Sequence, residues 1–237
     1  MKVLELKVCG PVSSFRRPMD HNYQKTFPLP PPTTLLGLAG AALGLSPEEM
    51  WKEGSKIGYL KCTALADRAP GTAKDLWKIR KIKQGKIETS AVYTRDLIFF
   101  PAYTILYHGE VELLSELKKA FDDPVYALSL GREDELVAIS ENRLLEATSA
   151  HPEFSGTFIP IDIREVPEGK IKLSLCQEGF SPAPQTVKLP VSFKVDKIGT
   201  RSPERSLTFT FIPLGIKLFV EGVEAFQTDG RIFCFWP

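Results

Sequence analysis

Four prolines within residues 28–32 precede an apolar run rich in small residues, and this pairing limits the possible folds more than any other feature. Each proline fixes its own φ and disfavours helical geometry in the residue before it, so the segment is stiff. Thr33 or Thr34 is predicted to N-cap a helix that ends at about Gly44. The apolar run, residues 35–45, is too short to span a bilayer.

The order of predicted elements indicates a split βαβ arrangement. Predicted strands cover residues 1–9, 55–66, 96–109 and 135–140, and predicted helices cover residues 33–44 and 109–123. In the second helix, one apolar face is formed by Val111, Leu114, Leu117 and Phe121. This order is that of the ferredoxin-like fold and of the RNA-recognition motif.

Helix signals disappear after about residue 150, and hairpin signals replace them at Pro167-Glu168-Gly169 and Asp229-Gly230. The predicted fold class is therefore α+β. A ferredoxin-like domain is expected over residues 1–149, with a long β-hairpin inserted at about residues 68–96. A small, mostly antiparallel β unit is expected over residues 150–237.

The inserted hairpin is predicted to turn at Gln84-Gly85 and is strongly basic. Residues 74–86 hold six cations against one acid, Asp75, in a chain whose net charge is only +1. The cations are Lys74, Lys78, Arg80, Lys81, Lys83 and Lys86, and Trp77, Tyr93 and Arg95 are interleaved with them or follow on the returning strand. Basic residues contact phosphates and aromatic faces stack on unpaired bases, so the segment predicts RNA binding. The alternative is a solvated hairpin with Trp77 packed at its base.

A second basic patch lies in the loop before the prolines, which contains Arg16, Arg17, His21, Tyr23 and Lys25. The helix N-terminus at Thr33–Thr34 offers free backbone N–H groups to an anion. Arg132 follows Gly131 in a predicted loop, where it either contacts phosphate or pairs with Glu133 or Glu135. The alternative for the first loop is a purely structural role.

Several classes of chemistry have no support in the sequence. The four cysteines, Cys9, Cys62, Cys176 and Cys234, form no CxxC pair and are interpreted as buried side chains in a reducing compartment. No nucleotide-loop, zinc-protease or nucleophile-elbow motif is present. We expect no metal, no cofactor and no membrane association, and a cytoplasmic location.

The N-terminal region resembles a known family. The stretch "GPVSSFRRP…NYQKTFPLPPPTTLLGLAGAALG" is similar to the N-terminal signature of the CRISPR-associated fifth-subunit family of the RAMP superfamily, and "YALSLGREDEL" resembles its later Leu-Gly-Arg loop. These proteins are the small handle-binding subunits of type I Cascade surveillance complexes. The resemblance covers about the first 140 residues.

The resemblance implies a protein that holds the 5′ handle of the CRISPR RNA and caps one end of the backbone filament in antiviral defence. It implies that the protein contacts the repeated backbone subunit and the large subunit. Target DNA would be contacted only indirectly, through the complex. The inserted hairpin becomes a thumb that folds over a kinked nucleotide. Arg16, Arg17, Tyr23 and Lys25 become candidate handle contacts.

Other functions stay open. A branch of the family cleaves its own repeat RNA without metal through a Tyr–Lys–His type of site, for which His21, Tyr23 and Lys25 are the candidates here. We expect the noncatalytic role. Two further alternatives are a generic single-strand RNA binder and a structural subunit whose basic hairpin docks on an acidic protein.

Overall fold

The computed structural model describes residues 1–176 and 182–236, apart from the side chain of Lys81. The helices are α1 (Pro32–Leu43), α2 (Pro47–Trp51) and α3 (Val111–Asp122), with a short 3-10 helix at Lys56–Tyr59. The strands are β1 (Lys2–Cys9), β2 (Val12–Ser13), β3 (Tyr23–Gln24), β4 (Lys61–Ala66), β5 (Gly71–Lys83), β6 (Lys86–Phe99), β7 (Ala102–His108), β8 (Ala138–Glu146), β9 (Thr148–Ser149), β10 (Glu153–Phe154), β11 (Thr157–Ile159), β12 (Ile171–Leu175), β13 (Gln185–Val195), β14 (Arg201–Ile212), β15 (Ile216–Val220), β16 (Phe226–Thr228) and β17 (Arg231–Phe233). The protein is rich in sheet and poor in helix, as predicted.

A seven-stranded sheet in the order β13-β14-β11-β4-β7-β1-β8 organises the chain. Strands β4, β7, β1 and β8 are antiparallel neighbours, and α1 and α3 connect them in the predicted order. Strand β11 joins this sheet through the pair Thr157↔Leu65 and carries β14 and β13 beyond it. The sheet therefore continues past residue 149, where the sequence predicts a domain boundary. That boundary stays a prediction.

The helices pack on one face of the sheet. Leu4, Leu6 and Val8 of β1 belong to the same buried cluster as Leu114 and Leu117 of α3. The small residues of α1 permit close packing as expected: a Cβ added to Gly40 would lie 2.4 Å from Sδ of Met50. A side chain, and not a second backbone, fills the space beside Gly40.

The C-terminal hairpin β16–β17 covers part of the opposite face. Phe233 packs with Val3, Leu65 and Leu106 on that face. Arg231 donates hydrogen bonds to the Asp67 carboxylate and to the Ala66 carbonyl oxygen. These contacts join the end of the chain to its first strands.

The inserted hairpin was predicted correctly. Strands β5 and β6 pair from Gly71↔Phe99 to Lys83↔Lys86, and the turn residues Gln84 and Gly85 both have positive φ. On its other edge, β6 pairs with β2 and β3, which fixes the base of the hairpin to the loop of residues 10–27. We refer to β5 and β6 as the inserted hairpin.

Several boundaries differ from the predictions. Helix α1 begins at Pro32, and its N-cap is Pro31, which makes no side-chain cap. Thr33 and Thr34 therefore lie inside the helix and do not cap it. Proline suits the first helical turn because a backbone N–H at that position would have no partner within the helix. The predicted strand 96–109 is broken at Phe100-Pro101, where Phe100 has φ +49° and proline lacks an N–H. The predicted strand 55–66 begins only at Lys61, after the 3-10 helix.

Further residues also lie differently from the predictions. Residues 135–137 precede β8 and do not form a strand. The predicted hairpin at residues 167–169 is wrong, because β12 pairs with the distant β15. Val111 is exposed while Leu113 is buried, so the apolar face of α3 is rotated. Cys9 and Cys176 are exposed, and only Cys62 and Cys234 are buried as expected.

None of the helices among the described residues has the length and apolar character of a membrane-spanning helix. In the same residues, no group of His, Cys, Asp and Glu side chains is arranged to hold a metal ion.

Candidate nucleic-acid interface

A cleft of about 460 Å³ lies where the inserted hairpin leaves the body of the protein. Seven of the residues singled out in the sequence line it: Arg16, Lys25, Thr33, Thr34, Trp77, Arg95 and Arg132. They come from the first loop, the first turn of α1, both strands of the hairpin and the loop after Gly131. We call this the basic cleft.

The buried carboxylate of Glu135 joins the walls of the basic cleft. Its Oε2 accepts hydrogen bonds from the backbone N–H of Ser14 at 2.7 Å and of Arg132 at 2.9 Å. Its Oε1 accepts from the Ser14 hydroxyl at 2.6 Å and lies 3.7 Å from Nη1 of Arg95. One side chain thus holds three separate chain segments. Apart from an acidic run after Gly131, no sequence signal indicates this role.

Gly131 is required for this contact. Its φ is +118°, and a Cβ added there would lie 2.0 Å from Oε2 of Glu135 and 2.5 Å from the Ser14 carbonyl oxygen. A side chain cannot occupy that space, so only glycine lets the loop approach Ser14 and present Arg132. The predicted ion pair of Arg132 with Glu133 or Glu135 is wrong, because its Nε pairs with Asp134 at 3.0 Å.

Trp77 is stacked between two guanidinium groups. Cζ of Arg132 lies 3.5 Å from a Trp77 ring centroid, and Cζ of Arg95 lies 3.8 Å from it. One face of an indole has no room for two stacked guanidinium groups at these distances, so Arg95 and Arg132 lie on opposite faces of the ring. Trp77 pairs directly with Tyr93 across the two strands of the hairpin. Arg95 lies two residues further along β6 on the same face, so its side chain reaches the indole diagonally.

The cleft holds more positive charge than its acids neutralise. Burial and the nearby charge of Arg132 lower the pKa of Arg95, although a guanidinium stays protonated in proteins. Nη1 of Arg132 is buried and finds no acceptor among the described residues. An arginine donor without a partner, next to a second arginine, is suited to an oxygen of a bound anion.

The first loop divides the predicted residues between two clefts. Arg16 and Lys25 line the basic cleft, whereas Arg17, Tyr23 and Lys74 line a second cleft of about 1100 Å³ on the other side of the loop. Arg17 donates to Oε1 of Gln185 and lies over the ring of Phe27 at 5.5 Å.

The three candidate catalytic residues lie on this loop without forming a joined site. The Tyr23 hydroxyl donates to Oδ1 of Asp96 at 2.8 Å, and Nζ of Lys25 lies 5.9 Å from the Tyr23 ring. His21 is exposed, and its ring forms no hydrogen bond or ion pair with any residue that the structure describes.

The remaining predicted cations lie along the inserted hairpin. Lys78, Arg80, Lys83 and Lys86 are exposed, and Lys83 pairs with Glu88 at 3.6 Å. The side chain of Lys81 lies outside the described part of the structure. By strand alternation, Lys78 and Arg80 are on the face away from Trp77, so they do not line the basic cleft.

Residues 3–158 match the family described as CRISPR-associated protein (Cas_Cas5), and the chain belongs to that family, which confirms the family predicted from the sequence. Among curated proteins, none matches the chain significantly.

Two solved structures with TM-scores above 0.5 have the same fold. A chain described as "CRISPR RNA-guided surveillance complex" aligns with a TM-score of 0.56 and 18% identity, over 94% of this chain and 91% of that one. A CRISPR protein from Archaeoglobus fulgidus aligns with a TM-score of 0.52 and 15% identity, over 98% of both chains. A third, described as "Crystal structure of Cas protein", is 23% identical with a TM-score of 0.41; the match covers 56% of this chain and 58% of that one.

Proposed function

We propose that the protein binds the 5′ handle of the CRISPR RNA in a type I Cascade surveillance complex and caps one end of its backbone filament. Under this proposal, β8-β1-β7-β4 with α1 and α3 form the ferredoxin-like body, and the inserted hairpin is the thumb. The convergence of Arg16, Lys25, Arg95 and Arg132 in one cleft carries the proposal. Partners would be the backbone subunit and the large subunit, in the cytoplasm, with target DNA met only through the complex.

The basic cleft suits a phosphodiester backbone. Four cationic side chains converge there, and Arg132 keeps one donor without a partner in the described part of the chain. Phosphate contacts of this kind give binding that weakens steeply with salt. The net charge of the whole chain, +1, gives no general attraction to polyanions, so the affinity would depend on this local patch.

The covered face of the sheet argues against a generic RNA-recognition motif. In those modules, aromatic residues on the open sheet face stack on bases. Here Phe233 and its hairpin cover Val3, Leu65 and Leu106 on that face. We therefore favour RNA entry beside the inserted hairpin.

We favour binding over cleavage for the loop of His21, Tyr23 and Lys25. A general base must reach the proton that it removes. The Tyr23 hydroxyl is already hydrogen-bonded to Asp96, and the exposed His21 ring has no hydrogen-bond partner among the described residues. The metal-independent endoribonuclease remains the alternative function.

Sequencing the RNA that copurifies with the protein tests the proposal. CRISPR repeat RNA should be enriched over total cellular RNA, and its capture should fall as the salt of the wash is raised. A variant with Lys118→Ala and Lys119→Ala on α3 provides a control with unchanged cleft residues. Recovery of no RNA, or of RNA without repeat enrichment, would contradict the proposal.

A further inference from the structure

Phe100 has a backbone conformation that its own side chain disfavours. Its φ is +49°, a region that bulky residues rarely occupy, and glycine would occupy it without strain. The ring gains little from burial in return, because 63% of the residue is exposed. A strained residue whose side chain faces solvent indicates a role outside the packing of the fold.

The surrounding structure holds the Phe100 backbone firmly. Its N–H donates to the Pro11 carbonyl oxygen at 2.9 Å, and its own carbonyl oxygen accepts from Nε of Arg68 at 3.0 Å. Arg68 is exposed and forms no ion pair with any residue that the structure describes. The guanidinium of Arg68 is thereby held at the backbone of Phe100.

Phe99 extends the same patch. Its ring centroid is 6.5 Å from that of Phe100. Phe99 pairs with Gly71 of β5, which has no side chain, and with Val12 of β2, and the residue is 36% exposed. The patch therefore consists of two neighbouring aromatic rings and one cation, which we call the aromatic patch.

The aromatic patch continues the wall of the basic cleft. Arg95 and Phe99 lie four residues apart on β6 with no bulge between them, so both are on the face of the hairpin that carries Trp77. The separation along the strand is about 13 Å at the usual rise per residue. A single strand whose phosphates occupy the basic cleft can reach Phe99 and Phe100 with its next nucleotides.

We propose that Phe100, with Phe99 and Arg68 beside it, is a stacking site for an unpaired base of single-stranded RNA that extends from the basic cleft. This inference rests on the proposed RNA-binding function and adds a base-contacting site to it. Aromatic faces accept any base, and the neighbouring guanidinium suits the adjoining phosphate. A docking surface for a protein partner is the competing outcome.

The test uses the full chain and a fluorescein-labelled oligouridylate of about 12 nucleotides, with an abasic counterpart that carries the same phosphates. The wild type should prefer the probe with bases by about 5- to 150-fold. Phe100→Gly should lose most of this preference, retain the salt dependence, and melt at the same or a higher temperature because the backbone strain is relieved. A purely structural residue would lose stability together with affinity.

Phe100→Trp, which keeps an aromatic face, should retain the preference for bases. Tyr59, exposed at 73% on the 3-10 helix, supplies the matched control, so Tyr59→Leu should bind as the wild type does while Phe100→Leu should not. If Phe100→Gly keeps the preference for bases, this inference is overturned. If that variant also loses association with another Cascade subunit, the patch is a docking surface for a protein. Failure of the wild type to bind either probe would overturn this inference, whereas failure to bind CRISPR repeat RNA as well would contradict the proposed function itself.

Discussion

The guanidinium group of Arg132 lies against the indole of Trp77, with 3.5 Å between Cζ and the ring centroid. Since Arg95 covers the other face at 3.8 Å, no base can stack on Trp77 unless a guanidinium moves. The indole therefore acts as a spacer that holds two cations at a fixed separation in the basic cleft.

Trp77→Ala should lower the free energy of unfolding by about 2 kcal/mol, because two cation–π contacts of about 1 kcal/mol each are lost. RNA affinity should fall as well, since Arg95 and Arg132 lose the surface that positions them. Urea unfolding and RNA titration of the same sample measure both effects, and Trp77→Phe should retain most of each. Weaker RNA binding at unchanged stability would instead indicate direct stacking of a base on Trp77.

Gly131→Ala should destabilise the protein by about 2–4 kcal/mol and weaken RNA binding, because the new Cβ would displace Glu135 or Ser14 and with them Arg132. Gly169→Ala is the matched control: its φ is also positive, at +94°, but its added Cβ meets no atom. Gly169→Ala should lower the free energy of unfolding by about 1–2 kcal/mol and leave RNA affinity unchanged. Thermal melts and affinity measurements on both variants check this, and equal effects would refute the packing role of Gly131.

Local chemistry made some elements predictable. The turn residues Gln84-Gly85 specified the inserted hairpin, and the spacing of Leu114, Leu117 and Phe121 specified α3. The break at Phe100 was missed although Pro101 signals it, because the aromatic and β-branched neighbours favour a continuous strand. Distant partners, Pro11 and Arg68, hold that break.

The candidate site was predictable in its residue types and not in its arrangement. Clustered cations in residues 74–86 indicated an RNA-binding hairpin, yet Lys78 and Arg80 lie outside the basic cleft while Arg16 and Arg132 line it. The contact of Glu135 with Ser14 was missed because the two residues lie 121 positions apart in the sequence. A single sequence contains no signal for such a pair.

Arg16→Ala with Lys25→Ala should weaken binding to repeat RNA and reduce the slope of log affinity against log salt by about 1.4, the value for two lost contacts to a single strand. Both residues are exposed, so stability should change by less than about 1 kcal/mol. Filter binding over a salt series measures the slope. Lys118→Ala with Lys119→Ala removes the same charge from α3, and an equal loss there would show that only diffuse charge matters.

Replacing residues 79–91 by Asn-Gly should leave a folded protein with weaker RNA binding. Lys78 and Val92 are direct cross-strand partners, so a two-residue turn can join them. The deletion removes Arg80, Lys81, Lys83 and Lys86 but keeps Trp77, Tyr93 and Arg95. The salt slope should fall while the melting temperature stays within a few degrees; unchanged affinity would exclude the outer part of the hairpin from the RNA site.

The purified protein should not cleave CRISPR repeat RNA, with or without EDTA. The Tyr23 hydroxyl is engaged by Asp96, and His21 has no described partner to orient it. Labelled repeat RNA incubated with excess protein and resolved on a denaturing gel provides the measurement. Specific cleavage that disappears in His21→Ala would establish the endoribonuclease.

The contact of Phe233 with Val3, Leu65 and Leu106 has a consequence for synthesis on the ribosome. About 130 residues separate Leu106 from Phe233, which corresponds to on the order of ten seconds of translation. During that interval β1, β4 and β7 can pair, but the apolar patch on their outer face has no cover. The nascent chain is consequently most vulnerable to aggregation just before the C-terminal hairpin emerges, and translational pauses within the last strands would prolong that state.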